Sequence, residues 1–473
     1  MSSSSAETSA GGANTSSVNA ATSGGSSGAG GDATNTNTSS SNTNTNTNTA
    51  TGGSGGSSGG DGGASSTGGS GGGANSTVRG TVVNHWLHPV PGVIVMVGDQ
   101  EAMTDGDGAF EFEEVPETYD IMLDVTYPRY GGTGRYGWVY QGVTRRDPTL
   151  QVYGGLALRS SNVLVNPTNV TAGTDRVAVM ALGGDYGRYD REGDTASYVS
   201  FSYFGPPAVT MYGHALQWIE SEGLPTEYVA YDSTNLIAFD SEVTDYVAFT
   251  VDFTENEVAS GAISGSVTSL TGDARRNAVY VRFASNALIQ VVDDSPGAEG
   301  SFVYTVPSLP EASILVAAHE GTLYDGARAV AYQNGLSPGA TDVALEIPSP
   351  PVLNAPAPGA VLDENTVFSW SGDAQAFVWQ LSSDTVYEAI YVVTSSKDLT
   401  VPAFANGLDL VRPGDTYTWR VETHGDPDSV DAMLGAEGFM GDFHDIAYDE
   451  PDGPGAGSGS YATSAASSVT AAD

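Results

Sequence analysis

The sequence predicts an all-β fold, in which tandem β-sandwich domains follow a disordered low-complexity N-terminal segment. Short runs in which apolar and polar residues alternate recur along the chain, as at Val93–Val97 and Ile121–Val125, and this period of two is typical of half-buried strands. Turns rich in Gly, Pro and Asp separate these runs. The first 76 residues are almost all Ser, Gly, Asn, Thr and Ala, which cannot form a core.

Composition narrows the class of protein. The 473 residues suggest about three domains, and the pattern raises this number to four. The chain carries 57 acidic residues against 16 Lys and Arg, for a net charge of −41. This charge argues against nucleic acid as a partner, because binding to phosphates depends on Lys and Arg. The acidity indicates either cation binding by clustered carboxylates or a solvated acidic surface.

Some kinds of site are excluded by residue type. The chain has no cysteine, so disulfides, thiol nucleophiles and thiolate metal sites are ruled out. There is no apolar run of membrane-spanning length and no basic-then-apolar signal after Met1. There is also no Gly-x-Ser-x-Gly elbow. We therefore expect no membrane-spanning segment and no enzyme activity.

The N-terminal segment includes a strict Asn-Thr alternation from Asn42 to Thr49. It can be a passive spacer or a glycosylated, adhesive stalk. It resembles the tether that follows the lipid-bearing cysteine of bacterial surface lipoproteins. The resemblance implies an extracellular or cell-surface location, with outer-membrane anchoring if an N-terminal cysteine or a signal was removed.

The first folded unit is centred on Val78–Val125. Its order of motifs is G-x-V (80–82), P-x-P-G-V-x-V (89–95), T-D-x-D-G-x-F-x-F (104–112), V-P (115–116) and Y-D (119–120). This order and spacing resemble the carboxypeptidase regulatory-like domain. The resemblance implies a small transthyretin-like β-sandwich that serves as a structural and interaction module.

Two further β-rich units follow. The first, with no recognised family, is predicted to contain a polar loop at Gly183–Asp194 and a short helix at Gly213–Glu222, because Leu216 and Ile219 have helical spacing. In the next unit, Ile263–Val267 echoes the opening strand of the first unit. We interpret it as a second, diverged transthyretin-like sandwich.

The last unit contains Val367–Trp370, Trp379 and Tyr417–Val421. It resembles a fibronectin type III-like or immunoglobulin-like module, in which a buried Trp on an early strand packs in a two-sheet core. The predicted boundaries are 1–76 for the stalk, 77–158, 159–260, 261–348 and 349–448 for the four β-sandwich or β-rich units, and 449–473 for a disordered tail.

Four aromatic residues are the candidate ligand-binding residues. Tyr130, Tyr136, Trp138 and Tyr140 cluster in a Gly-rich segment, and exposed rings there could stack on sugars or form a protein-binding patch. The alternative is ordinary packing within a strand.

One acidic loop is a weak candidate for calcium. Asp426, Asp428 and Asp431 lie close together in sequence, near His424, and calcium takes six to eight oxygen ligands. The alternative is an exposed loop in an acidic protein. We expect no other metal and no cofactor.

The functional prediction is a non-catalytic, exported bacterial cell-surface protein that displays sandwich modules. Its expected partners are protein or polysaccharide at the cell surface, with possible self-association. The alternatives left open are a carbohydrate-binding or adhesive protein, a surface fibre subunit, and an accessory module of a secreted hydrolase.

Overall fold

The structure is a computed structural model, and its described residues form β-strands almost throughout, which confirms the prediction of an all-β chain of tandem sandwiches. It describes residues 76–472 apart from 85, 130–131, 153–155, 157, 172, 174, 185–186, 193–196, 235–236, 243–245, 255–257, 270–274, 297–299, 322–325, 384–387, 405–406, 408, 426 and 437–457.

The first unit is a sandwich of two sheets. Its strands are β1 Ser76–Asn84, β2 Ile94–Val97, β3 Gln100–Met103, β4 Ala109–Val115, β5 Tyr119–Arg129, β6 Gly132–Val143 and β7 Thr149–Val152. One sheet has the order β4-β1-β7 and the other runs β3-β2-β5-β6. The turn between β3 and β4 is closed by Asp105, whose Oδ1 accepts the N–H groups of Asp107 and Ala109 at 3.0 and 2.8 Å.

The second unit has strands β8 Leu158–Thr168, β9 Arg176–Gly184, β10 Gly187–Glu192, β11 Ser197–Phe204, β12 Ala208–Ser221, β13 Leu224–Ser233, β14 Ile237–Asp240 and β15 Tyr246–Asp252. The predicted helix at Gly213–Glu222 is wrong, because this segment lies almost wholly within β12. The predicted loop at Gly183–Asp194 is also wrong in part, because it contains β10.

The third unit repeats the pairing plan of the first two. Its strands are β16 Ser260–Ser269, β17 Arg275–Phe283, β18 Leu288–Asp294, β19 Ser301–Pro307, β20 Ala312–Gly321, β21 Arg328–Leu336 and β22 Val343–Ile347. In each of the three units the opening strand (β1, β8 or β16) lies between an antiparallel and a parallel neighbour. In the other sheet of each unit, the second strand (β2, β9 or β17) lies between two neighbouring strands.

The fourth unit follows a different plan. Its elements are β23 Val352–Ala355, β24 Ala360–Leu362, β25 Val367–Ser371, β26 Phe377–Ser383, β27 Glu388–Thr394, β28 Asp398–Thr400, β29 Thr416–His424, α1 Val430–Met433, β30 Ser458–Thr463 and β31 Ser467–Ala471. The prediction of a disordered tail at 449–473 is wrong for β30 and β31. Their backbone groups pair with β21, β24 and β29, and that pairing orders them despite their small side chains.

A single sheet passes through the first, third and fourth units. Its order is β18-β17-β20-β21-β30-β29-β26-β27-β6-β5-β2-β3. The first and fourth units join where β6 and β27 pair in parallel, with Arg135–Tyr140 opposite Glu388–Val393. The third and fourth units join through β30, which pairs with β21 on one side and β29 on the other.

The hydrophobic cores also cross the junctions. On one face of the shared sheet, Trp138 and Tyr140 of the first unit pack in one cluster with Tyr391 and Met433 of the fourth. On the opposite face, Met96 and Val139 of the first unit pack with the core of the fourth, which contains Phe368, Trp379 and Trp419. The first and fourth units therefore share both of their cores.

The second unit is joined to the third by packing. Leu216, Trp218 and Tyr228 from its β9-β12-β13 sheet lie in the core of the third unit. Gly183 shows how close the two backbones come, since a Cβ atom placed there would lie 2.2 Å from the backbone nitrogen of Ala287. Only glycine fits at such a contact.

Candidate interaction surfaces

The four candidate aromatic residues are placed very differently. Tyr130 lies outside the described residues. Tyr136 is partly buried, and its ring meets that of Tyr391 edge-on, with the centroids 5.8 Å apart. Trp138 and Tyr140 are completely buried. The expectation that these two rings are exposed is wrong, because they point into the core shared by the first and fourth units.

The two buried rings form part of a stack. The Trp138 ring lies 4.2 Å from that of Tyr391 at an interplanar angle of 12°, and 6.0 Å from that of Tyr140. The Tyr140 hydroxyl donates to the backbone oxygen of Gln151 on β7, and burial raises the pKa of this phenol well above its ordinary value. These contacts hold the two sheets and two units together.

The three candidate calcium ligands are also placed differently. Asp426 lies outside the described residues, and Asp428 is exposed. The carboxylate of Asp431 accepts the backbone N–H groups of Thr144 and Arg145 at 2.9 and 3.1 Å, as well as the Thr144 hydroxyl. Calcium binding by these three residues stays a prediction, but the Asp431 oxygens already accept three hydrogen bonds from the loop after β6.

Asp431 provides a test of the junction between the first and fourth units. We expect Asp431→Ala to lower the free energy of unfolding by about 1–3 kcal/mol, because three donors of the loop after β6 lose a charged acceptor. The measurement is urea unfolding followed by circular dichroism. Asp428→Ala is the matched control, and its effect should stay within about 0.5 kcal/mol. Equal effects of the two substitutions would contradict this role for Asp431.

A chain of charged groups crosses the same junction. The guanidinium of Arg135 binds the buried carboxylate of Asp124 through two nitrogens, at 2.5 and 2.9 Å. The hydrogen bonds that Arg135 donates to Asp124 raise the pKa of the guanidinium. Arg135 stands opposite Glu388 in the β6–β27 pairing, and Glu388 in turn pairs with Arg412. Negative and positive side chains thus alternate across the junction between the first and fourth units.

The junction between the third and fourth units holds a buried polar cluster. His424 and Glu422 of β29 lie 3.4 Å apart, with their side chains almost wholly buried. Burial opposes ionisation of Glu422, but hydrogen bonding to His424 and the electrostatic influence of His424 and Arg420 lower its carboxyl pKa. Tyr461 of β30 packs edge-on to His424 at 5.0 Å, and the Arg328 guanidinium lies 5.9 Å from the centre of its ring.

His214 marks the junction between the second and third units. Its ring stacks on Phe283 at 3.8 Å, and its Nε2 lies 2.8 Å from the Ser285 hydroxyl oxygen. Its Nδ1 lies 3.2 Å from the hydroxyl oxygen of Tyr231. Burial lowers the pKa of His214 to about 4. The neutral imidazole is therefore the form that fits this interface.

The low pKa of His214 predicts a pH dependence of stability. Between pH 6.5 and about 4 the unfolded chain binds a proton at this residue that the folded chain does not, so stability is lost as pH falls through this window. The contribution is about 3 kcal/mol, from 1.36 kcal/mol per pKa unit.

His214→Gln should flatten this part of the pH profile, because glutamine can hydrogen-bond but does not titrate. The measurement compares urea unfolding of the two proteins at pH 7 and pH 4.5. The difference between their stabilities should shift in favour of the variant at pH 4.5. Parallel pH profiles would show that His214 is protonated as easily in the folded chain as in the unfolded one.

Among the described residues, no group of three or more His, Asp or Glu side chains is arranged to hold a metal ion. No helix in the described part of the chain is long and apolar enough to cross a membrane. The described residues also line an open cleft of about 590 Å³ beside β1, β3 and β4.

Comparisons with known proteins find similarity at the level of solved structures. No family model matches the sequence, and no curated protein matches it. The Bacillus anthracis TIE protein is similar at 10% identity over 58% of this chain and 50% of that one, with a TM-score of 0.16. Two B repeat units of the Staphylococcus aureus collagen binding protein match at 10% identity over 76% and 97%, with a TM-score of 0.14.

The shaft pilin SpaA of Lactobacillus rhamnosus GG matches at 9% identity over 41% of this chain and 98% of that one, with a TM-score of 0.13. This chain spans half the length of the TIE protein chain that it matches. TM-scores this low do not establish a shared overall fold. The β-sandwich architecture follows from the strand pairing described above.

Sequence reasoning missed the residues that join the units. Glu422, His424 and Tyr461 meet only because β30 pairs with β29, and no local pattern signals that pairing. His214 gives no separate signal, because the helix prediction covers the segment that contains it. A usable signal was present at Gly183, since a glycine within an apolar strand indicates close approach of another backbone.

Proposed function

We propose that this chain is a non-catalytic, exported cell-surface protein whose sandwich units form one mechanical scaffold for contact with partner protein or polysaccharide. The observation that supports this most is the sheet that passes through three units, from β18 to β3. Shared cores reinforce it at the junctions.

The physical argument concerns motion between units. Units connected only by a linker are expected to move relative to one another unless a large apolar interface holds them. Here the junctions contain backbone ladders, as between β6 and β27, and fully buried side chains such as Trp138. Loops at the ends of such sheets keep fixed positions, which is what a display or load-bearing function requires.

The family resemblances belong to the same proposal. The motifs at 78–125 support a carboxypeptidase regulatory-like module, and the tryptophan pattern at 350–448 supports a fibronectin type III-like module. The low-complexity segment at 1–76 supports a role as a stalk that separates the folded units from an anchoring surface. In this arrangement the sandwiches supply rigidity and the stalk supplies reach.

Ligand contact is proposed in the Gly-rich segment that contains Tyr130 and Tyr136. Because Trp138 and Tyr140 are core residues, Tyr130 and Tyr136 are the two of the four candidates that remain for ligand binding. Tyr136→Ala is expected to weaken binding to the glycan or protein that an array identifies. Tyr212→Ala, which removes a ring that is 41% exposed on the second unit, is the control, and an equal effect of both would contradict the proposal.

The test of the surface location is protease treatment of intact cells that produce the native protein. A protease that cannot cross membranes should degrade the chain while a cytoplasmic marker enzyme stays intact. Antibodies to the fourth unit follow the result. Complete protection in intact cells, with digestion after lysis, would overturn the surface location.

A further inference from the structure

The two ends of the long sheet differ in whether they are covered. At one end, β18 packs against β9, β10 and β13 of the second unit. At the other end, β3 pairs with β2 on its inner side, and no strand among the described residues pairs with its outer side. An open edge offers unpaired backbone groups to an added strand.

The direction of the backbone groups on β3 follows from its register. In an antiparallel ladder, alternate residues direct both N–H and C=O toward the partner strand. The backbone N–H of Thr104 donates to the Val93 oxygen, so Ala102 and Gln100, two and four residues away, also face β2. The N–H and C=O groups of Glu101 and Met103 therefore point outward, away from the sheet.

The side chains beside this edge leave room for a ligand. Met103 is 66% exposed, although it stands opposite Ile94 on a face that continues into the core shared with the fourth unit. The cleft of about 590 Å³ adjoins this edge, and Ala102, Met103 and Phe110 help to line it. An added strand could place alternate side chains over Met103 and into this cleft.

The charge around the edge is uniform in sign. Residues 99–114 contain seven carboxylates and no Lys or Arg, and all seven carboxylate residues are exposed. The neighbouring Arg79 is already paired with Glu111 at 2.6 Å. A second copy of the chain would bring two such acidic strands together. The stalk has no Lys or Arg, and Met1 and Val18 are its only apolar residues larger than alanine, so it does not supply the alternating segment that this edge would favour.

We propose that the outer edge of β3 binds an extended segment of a partner protein, in which apolar residues alternate with Lys or Arg. The segment adds a strand to the sheet through the outward backbone groups of Glu101 and Met103. Its apolar side chains cover Met103 or enter the cleft, and its positive charges meet the surrounding carboxylates. Backbone pairing gives affinity in this mode of recognition, and the side-chain pockets give specificity.

The test uses the purified full-length chain and a fluorescent peptide of alternating valine and lysine. Glu101→Pro removes one outward N–H while leaving the pairing with β2 in place, since proline is tolerated at a solvent-facing strand position. Glu101→Lys/Glu113→Lys reverses the local charge and keeps the backbone intact. Glu227→Lys/Glu364→Lys changes the net charge equally at exposed positions elsewhere. Circular dichroism checks that each variant is folded.

The proposal predicts that the peptide binds the wild-type chain and slows hydrogen exchange at residues 100–103. Both β3 variants should bind at least tenfold more weakly, the control variant within twofold of wild type, and a valine–glutamate peptide hardly at all. Unchanged binding to Glu101→Pro, or no binding of the peptide to the wild-type chain, would overturn the proposal. Dimerisation of the wild-type chain that Glu101→Pro abolishes would overturn it too, because a second copy would then occupy the edge.

Discussion

A chain that ends at residue 457 is expected to lose the junction between the third and fourth units. The removed residues include β30 and β31, whose Tyr461 and Val469 are buried. Burial of two such side chains contributes about 4–5 kcal/mol. Their removal also opens the edges of β21, β24 and β29. The loss is comparable to the whole stability of a typical domain.

The measurement is urea unfolding by circular dichroism, combined with limited proteolysis of the native protein. The truncated chain should unfold at a clearly lower urea concentration and be cut first within the fourth unit. Deletion of residues 2–17 removes the same number of residues from the low-complexity segment and should leave the midpoint unchanged. If both deletions left the midpoint unchanged, β30 would not join the units.

The second large effect is expected at Trp138. Trp138→Ala removes a completely buried ring that stacks on Tyr391 across the junction of the first and fourth units. Large-to-alanine substitutions of buried aromatic residues typically cost about 3–5 kcal/mol, because a cavity remains. Unfolding should be followed by circular dichroism, since the substitution also removes a fluorophore.

Two further variants make this result specific. Trp138→Phe keeps most of the stacking and should recover part of the lost stability. Tyr212→Ala, at an exposed aromatic residue, should change stability by less than about 0.5 kcal/mol. Retention of wild-type stability by Trp138→Ala would show that the ring is not a core residue and would restore it as a candidate for ligand contact.

The strands that were predictable are those with one solvated face. In β4, Phe110 and Phe112 point inward while Glu111 and Glu113 point outward, and this alternation is visible in the sequence. The same holds for β19, where Phe302 and Tyr304 alternate with the exposed Val303. Such patterns identify both the strand and its inner face.

The secondary-structure prediction is wrong where a strand has both faces covered. In β12, Leu216 and Trp218 pack toward the third unit while Ala215 packs in the core of its own unit. The apolar residues then form a continuous run, which periodicity cannot distinguish from a helix. A neighbouring unit covers the second face, and the local sequence pattern does not reveal which unit that is.

The candidate sites were harder to predict than the fold. Trp138 and Tyr140 lie among glycines and tyrosines that resemble an exposed loop, but β6 is an internal strand because β27 pairs with it from the fourth unit. Asp431, a predicted calcium ligand, accepts hydrogen bonds from the loop after β6, which the sequence pattern does not reveal. In each case a contact between residues roughly 250–290 positions apart decides the role.

Hydrogen exchange at the junctions between units tests most directly whether the units form one scaffold. Peptides that cover Arg135–Tyr140, Glu388–Val393 and Ser458–Thr463 report on the two ladders that join units. The account predicts that their amides exchange as slowly as those of the β17–β20 ladder inside the third unit. Exchange as fast as that of the exposed β3–β4 turn would show that the units are separate and that no continuous sheet joins them.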